Sequence, residues 1–183
     1  MSIIAQFHVD SQITLHAHWS GSLDMDIVVV CCSKAGHRII GFTDYGSLSA
    51  YPYIELLTDF TFTEVPTDNQ EIAAIAPDKI SLSADTENAI EKIYVLAWDF
   101  TALEEETESL YQEANVFLEI HQGSRRWKSV AIEKNGNLIE FGYFVVNSTL
   151  AEHAMQFIST NVVHSIAMPE EMDEILQYLS TPT

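Results

Sequence analysis

The chain has 183 residues, 47% of them apolar, and its 27 acidic and 8 basic residues give a formal net charge of −19. This length is sufficient for one substantial core, and the apolar fraction excludes wholesale disorder. The acidic excess argues against partners that are nucleic acids or anionic membrane surfaces, and it favours cations or basic proteins.

Strand patterns dominate the first part of the chain, because polarity alternates with period two or apolar residues follow one another in short runs. The predicted strands here are residues 3–8, 13–19, 26–32 and 38–42. A short turn at residues 34–37 joins the last two in a predicted hairpin. From residue 43 to about residue 77 the strand pattern weakens, and Pro52 and Pro66 lie within this segment, so we predict a long loop.

Strand patterns return in the second half of the chain. The predicted strands are residues 79–82, 91–100, 114–121, 126–133 and 138–146. Residues 101–111 are too rich in glutamate for a core and are predicted as a solvated loop or short helix. Asn135-Gly136 between two apolar runs predicts a second hairpin, because both residues tolerate positive φ.

Two helices are predicted at the end of the chain. Thr149 and Glu152 fit a capping box, and Pro169 begins a second helix. The apolar stripe of the second helix consists of Met172, Ile175, Leu176 and Leu179. This stripe either packs on its own domain or docks on a partner or a second copy of the chain. We therefore predict an all-β, two-sheet β-sandwich domain at residues 1–148 and a C-terminal helical appendage at residues 149–183.

Asp26 is the first residue of the third predicted strand, and Asp24 lies two residues before it. On a strand they point to the same side, roughly 6 to 7 Å apart. Two like charges held that close need a cation, hydrogen-bond donors or water to stabilise them. They are candidate ligands of a hard cation, and the alternative is a solvated acidic entry to the strand.

His16 and His18 share one face of the second predicted strand, at a spacing that can hold zinc or iron in β-structures. No third or fourth ligand follows from the sequence, and the alternative is a pair of solvent-facing or core histidines. The adjacent Cys31 and Cys32 face opposite ways on a strand, so we predict buried free thiols rather than a disulfide.

No sequence pattern of a nucleophile elbow or of a phosphate-binding loop with its lysine is present, so we expect no enzyme. No apolar run approaches the roughly 18 residues of a membrane span, and no basic and apolar leader is present. We therefore expect a soluble, cytoplasmic protein that does not insert into a membrane.

The order of these segments resembles the bacterial tellurium-resistance and stress-response TerD/TerA family. The strand ending in Trp19, followed by Leu23-Asp24-Met25-Asp26, looks like the opening of that family. Tyr51-Pro52-Tyr53-Ile54-Glu55-Leu56 is similar to a Pro-Tyr-Ile-x-Leu segment of the TerA-like branch, and Ala89-Ile90-Glu91-Lys92-Ile93 resembles a junction found across the family. The resemblance covers roughly residues 10–146.

The resemblance implies a non-catalytic β-sandwich that binds calcium at one end and contacts other proteins of a stress-response complex. The implied calcium ligands are Asp24, Asp26, Asp59 and Asp78, with Asp68 as a further candidate. The acidic cluster of calcium-binding TerD proteins is reduced here to Pro77-Asp78-Lys79, and calcium prefers six to eight oxygen ligands. The chain is therefore expected to be a calcium-binding or a purely scaffolding module, with self-association through the C-terminal helix as one form of contact. The alternative function is that of a metalloenzyme using His16 and His18.

Overall fold

The computed structural model describes residues 2–33, 39–43, 53–58, 68–80, 90–146 and 154–180. Within these ranges the chain forms two antiparallel sheets. In spatial order, sheet A consists of β1 (Ser2–His8), β11 (Ala154–His164), β10 (Leu138–Val146), β7 (Ile90–Asp99), β3 (Met25–Ser33) and β4 (Ile39–Thr43). Sheet B consists of β5 (Ile54–Thr58), β6 (Asn69–Ile75), β2 (Ile13–Trp19), β8 (Phe117–Gln122) and β9 (Arg125–Lys128). One short helix, α1 (Phe100–Glu104), follows β7.

The main core lies between the two sheets and follows from the alternation of the strands. In β2 the buried residues are those at odd positions, including Leu15 and Trp19, and they pack against inward residues of sheet A such as Ile27 and Val29. Side chains of successive strand residues point to opposite faces, so one face of each strand can supply this core. The prediction of an all-β, two-sheet sandwich is confirmed.

A second apolar cluster lies on the outer face of sheet A. There Val28, Val30 and Tyr94 contact Ile175 and Leu179 of the C-terminal segment, which forms a 3-10 helix at Met172–Gln177 rather than an α-helix. Because β3 is covered on both faces, all nine of its residues are buried. The apolar stripe of the segment thus packs on its own domain.

Side chains in sheet A, or directly before one of its strands, hold both ends of this C-terminal segment. The Asn137 side chain accepts a hydrogen bond from Ile166 N and donates one to Ile166 O, each at 2.8 Å. The carboxylate of Glu140, which is fully buried, accepts a hydrogen bond from Ser180 N at 2.6 Å, and the Tyr94 hydroxyl donates to Ser180 O at 2.7 Å. The segment from residue 166 to residue 180 is therefore fixed to the sheet by polar as well as apolar contacts.

The prediction of a helix beginning near Thr149 is wrong in the described part. Residues 154–164 form strand β11, which pairs with β1 on one side and β10 on the other. Backbone hydrogen bonds to two neighbouring strands outweigh a local helical pattern, because helix propensity is a weak preference. Residue 148 therefore does not separate a β-domain from a helical appendage: β11 belongs to sheet A.

Two connections also differ from the prediction. The segment predicted as a loop at residues 43–77 contains β5 and β6, two of the five strands of sheet B. Asn135-Gly136 is not a hairpin turn, because β9 before it lies in sheet B and β10 after it lies in sheet A. The hairpin of this region joins β8 to β9 instead, with Gly123 at φ +57° in its turn.

The remaining predicted elements fall into three groups. The strands at β1, β2, β3, β4, β7, β8 and β10 and the β3–β4 pairing are confirmed. The strand predicted at residues 126–133 ends at Lys128, and a 3-10 turn at Pro77–Lys79 occupies the start of the strand predicted at residues 79–82. The turn at residues 34–37 lies outside the described residues. In the described part of the chain, no helix has the length and apolarity that crossing a membrane requires.

The two cysteines lie as their adjacency predicts. Both are free and buried, with Cys31 in the core between the sheets and Cys32 in the cluster on the outer face of sheet A. Burial raises the pKa of both thiols, that of Cys32 to about 12. Both side chains are therefore protonated, inert thiols at neutral pH.

Candidate functional site

The outer face of sheet B differs from the outer face of sheet A. Outward residues of β2 and β8 are only half-buried, whereas both faces of β3 are buried. Antiparallel sheets commonly have one face in contact with solvent, so this arrangement is physically ordinary. This face is distinguished by its side chains: the central strands of sheet B carry histidine, glutamate and phenylalanine there.

A chain of polar side chains crosses this face. His18 Nδ1 lies 3.3 Å from Asp68 Oδ1, and His18 Nε2 lies 3.5 Å from Glu119 Oε1 without forming a hydrogen bond. The other carboxylate oxygen of Glu119 is 2.8 Å from His121 Nε2, and Arg126 lies against His121 Nδ1. We name these five side chains the polar chain; they come from the segment before β6 and from β2, β8 and β9.

The contacts of His121 assign its proton. The Arg126 guanidinium has only donors, so His121 Nδ1 accepts, and the proton of a neutral ring lies on Nε2 and is donated to Glu119. This hydrogen bond is the main cause of a lowered pKa of Glu119, with the neighbouring imidazoles adding to it. Glu119 is therefore ionised at neutral pH and stabilised from two sides.

His16 lies beside the polar chain. Its ring centroid is 4.0 Å from that of His121 and 6.4 Å from that of His18, and its Nε2 is 3.0 Å from Thr14 Oγ1. The pKa of His16 is lowered mainly by burial and to a smaller extent by the nearby His121 ring. A positive charge on one of these stacked rings disfavours a charge on the next, so His16 is neutral at pH 7.

The carboxylates predicted as calcium ligands are not all brought together. Asp24 precedes β3 and lies 3.5 Å from Thr101 Oγ1, and Asp26 is only 6% exposed. Asp78 lies in the exposed turn after β6, close to Ile75, the last residue of β6, which pairs with the first residue of β2. Asp24, in contrast, follows the last residue of β2 in the chain. The seven residues of β2 separate these two ends, which corresponds to about 20 Å.

The two remaining calcium candidates lie elsewhere. Asp68 is on the outer face of sheet B, where it contacts His18, and Asp59 lies outside the described residues. Over the ranges that the structure describes, no three histidine, cysteine or acidic side chains are grouped so that they could hold a metal ion as they stand. The described residues alone therefore do not fit a calcium ion, nor a zinc or iron ion bound by His16 and His18.

The end of the sandwich near Asp24 has an open cleft. Its volume is about 500 Å³, and its walls are residues 20–23, α1 with its flanking residues, and residues 107–114. Asp99 in the cleft wall is a structural group, since it accepts hydrogen bonds from Ala102 N and from Ser109 Oγ at 2.7 Å. Glu105, Glu108 and Glu113 line the cleft as exposed carboxylates. The cleft therefore has an acidic lining.

Sequence reasoning singled out two histidines of the outer face of sheet B, His16 and His18, and named Asp68 only as a calcium candidate. It missed the remaining members of the polar chain, which are Glu119, His121 and Arg126. The signal was available, because Phe117, Glu119 and His121 recur with the period of two that also relates Thr14, His16 and His18. What the sequence lacks is the pairing of β2 with β8, which places Glu119 opposite His16.

Comparison with known proteins supports the fold. The sequence matches no protein-family model and no curated protein. A homologue of telluride resistance protein (TerD) from Streptomyces coelicolor A3(2) is similar in structure, with a TM-score of 0.63 at 14% identity over 86% of this chain and 92% of the homologue. A crystallised protein of unknown function is similar at a TM-score of 0.61 and 13% identity, over 86% and 91% of the two chains. The chain is therefore an all-β sandwich with a TerD-like fold.

Proposed function

We propose that this protein is a non-catalytic scaffolding module, placed in the TerA-like branch of TerD-like proteins, that acts in the cytoplasm through contacts with other proteins of a stress-response complex. The difference between the two outer sheet faces carries this proposal. Sheet A is covered on its outer face by the chain's own C-terminal segment, and sheet B keeps its outer face half-exposed. A partner is therefore expected on sheet B.

The composition of the outer face of sheet B supports a protein contact. Phe117 stacks on His18 with ring centroids 4.6 Å apart, and exposed Leu57 lies on the edge strand β5. Rigid aromatic groups next to fixed hydrogen-bonding groups are typical of protein interfaces. The polar chain holds its side chains in place, so a partner that binds here pays little ordering entropy.

The test is site-specific photo-crosslinking in the organism that encodes the protein. A photo-reactive residue replaces Gln70, which is exposed and pairs with His18, and a matched variant carries the same residue at exposed Glu133. The proposal expects a discrete cross-linked protein from position 70 and none of the same mass from position 133. Identical products from both positions, or no product from position 70, contradict the proposal.

Calcium binding is the second candidate function. The acidic cleft beside Asp24 favours it, because exposed carboxylates attract a hard cation. Asp24 and Asp26 are then the described candidate ligands at this end of the sandwich, and Asp59 stays a predicted ligand outside the described residues. Asp78 lies at the opposite end. The calcium titration in the Discussion distinguishes this function from scaffolding alone.

A further inference from the structure

His18 lies between two carboxylates on the outer face of sheet B. Its Nδ1 is 3.3 Å from Asp68 Oδ1, and its Nε2 is 3.5 Å from Glu119 Oε1. The His18 side chain is only 12% exposed, and its Nε2 is buried without a hydrogen-bond partner. A buried polar atom that has no partner costs free energy, so this nitrogen requires an explanation.

The unpaired nitrogen follows from the number of hydrogens on the ring. A neutral imidazole has one N–H, and an ionised carboxylate accepts hydrogen bonds but donates none. Whichever nitrogen carries the hydrogen, the other one therefore presents a lone pair to a carboxylate. The shorter distance places the hydrogen on Nδ1, which donates to Asp68, and leaves Nε2 facing Glu119. One further proton, bound to Nε2, turns this contact between two acceptors into a hydrogen bond.

A proton is the occupant that fits between His18 Nε2 and Glu119. Nε2 is closed to solvent, so neither water nor the side chain of a partner has access to it. A metal ion would need at least one more protein ligand. Within the described ranges, no three histidine, cysteine or acidic side chains are grouped to hold one.

The two neighbouring histidines are less suited to take up this proton. His121 Nδ1 accepts a hydrogen bond from Arg126, and a hydrogen on that nitrogen would break the contact. Burial and the His121 ring lower the pKa of His16. The titratable and charged groups around His18 are His16 of β2, Asp68 before β6, Glu119 and His121 of β8, and Arg126 and Lys128 of β9.

We propose that His18 is a pH-sensitive switch on the outer face of sheet B. In its charged form the ring donates to Asp68 and Glu119 at the same time, and it thereby links the segment before β6 to β8. Histidine changes its charge between pH 5 and 8, a range in which carboxylates are ordinarily ionised. The switch sets the charge and the rigidity of the face that a partner would contact, and only this last step rests on the proposed function.

The experiment is NMR spectroscopy of the isotopically labelled full chain at about pH 8 and about pH 5.5. Chemical shifts of the ring nitrogens report which of them carries hydrogen, and backbone order parameters report the rigidity of residues 68 and 69. One nitrogen of His18 should carry hydrogen at the higher pH and both at the lower pH. The order parameters should rise with acidification toward the value of about 0.85 that is typical of rigid backbone.

Two variants test the hydrogen bonds of the switch. His18→Gln should abolish the rise of the order parameters in acid. Glu119→Gln should keep them high at both pH values, because its carboxamide can accept from His121 and donate to the bare Nε2 of His18. The matched control is His164→Gln, which replaces a histidine on β11 of sheet A and should respond to pH like wild type.

Thermal melts establish that each variant is folded, and Asp68→Ala, which changes an exposed side chain, replaces His18→Gln if that variant does not fold. Order parameters that do not change with pH in wild type overturn the proposal. A rise that persists in His18→Gln or in Asp68→Ala, or a Glu119→Gln chain that responds like wild type, also overturns it. A failed crosslinking test beside an intact switch removes the partner from this face and leaves the switch in place.

Discussion

Replacing Ile175 with alanine tests whether the C-terminal segment is an integral part of the fold. Ile175 is fully buried in the cluster on the outer face of sheet A. Removing such a side chain costs about 2 to 5 kcal/mol, because transfer free energy is lost and a cavity remains. For a domain of this size a loss of 3 kcal/mol corresponds to a fall in the melting temperature of about 6 to 12 °C.

The measurement is urea unfolding of wild type and Ile175→Ala, with Gln177→Ala as the matched control. Gln177 lies in the same 3-10 helix and is exposed, so its substitution should change the free energy of unfolding by less than about 0.5 kcal/mol. Protection of the Ile166 and Ser180 amides from hydrogen exchange reports whether the segment stays attached to Asn137 and Glu140. If Ile175→Ala is as stable as the control, the segment is not packed on sheet A and the reasoning is refuted.

Three further outcomes are expected. Calcium well above its dissociation constant should raise the melting temperature of wild type but not of the Asp24→Asn, Asp26→Asn double variant, because binding stabilises the folded state. If calcium does not change the melting temperature of wild type, calcium binding is refuted and scaffolding is the one function that remains. Cys31 and Cys32 should resist a thiol reagent at pH 8 until the protein unfolds, since burial raises both thiol pKa values; fast labelling of the native protein would contradict this. Burial lowers the pKa of His164, so the unfolded chain binds more protons and stability should fall as the pH drops below about 6.5. His164→Gln should reduce that fall, and an identical pH profile in the variant would exclude His164 as its cause.

The sequence alone predicts those strands in which the order of apolar and polar residues is clear. The alternation of β2 and the largely apolar runs of β3 and β10 are typical of strands, and each strand lies within one or two residues of its predicted position. The free thiols of Cys31 and Cys32 follow from the same geometry, because neighbours on a strand cannot share a face. These features depend only on local order along the chain.

Three features depend on the tertiary structure: the strand conformation of β11, the placement of Asp24 and Asp78 at opposite ends of the sandwich, and the assembly of the polar chain. Residues 154–164 have a pattern compatible with a helix, and only the positions of β1 and β10 on either side select a strand. Asp78 and Asp24 are separated because β6 runs antiparallel to β2, and Glu119 meets His18 because β8 also pairs with β2. Strand order and register arise from contacts between residues far apart in sequence, so a single sequence read locally does not contain them.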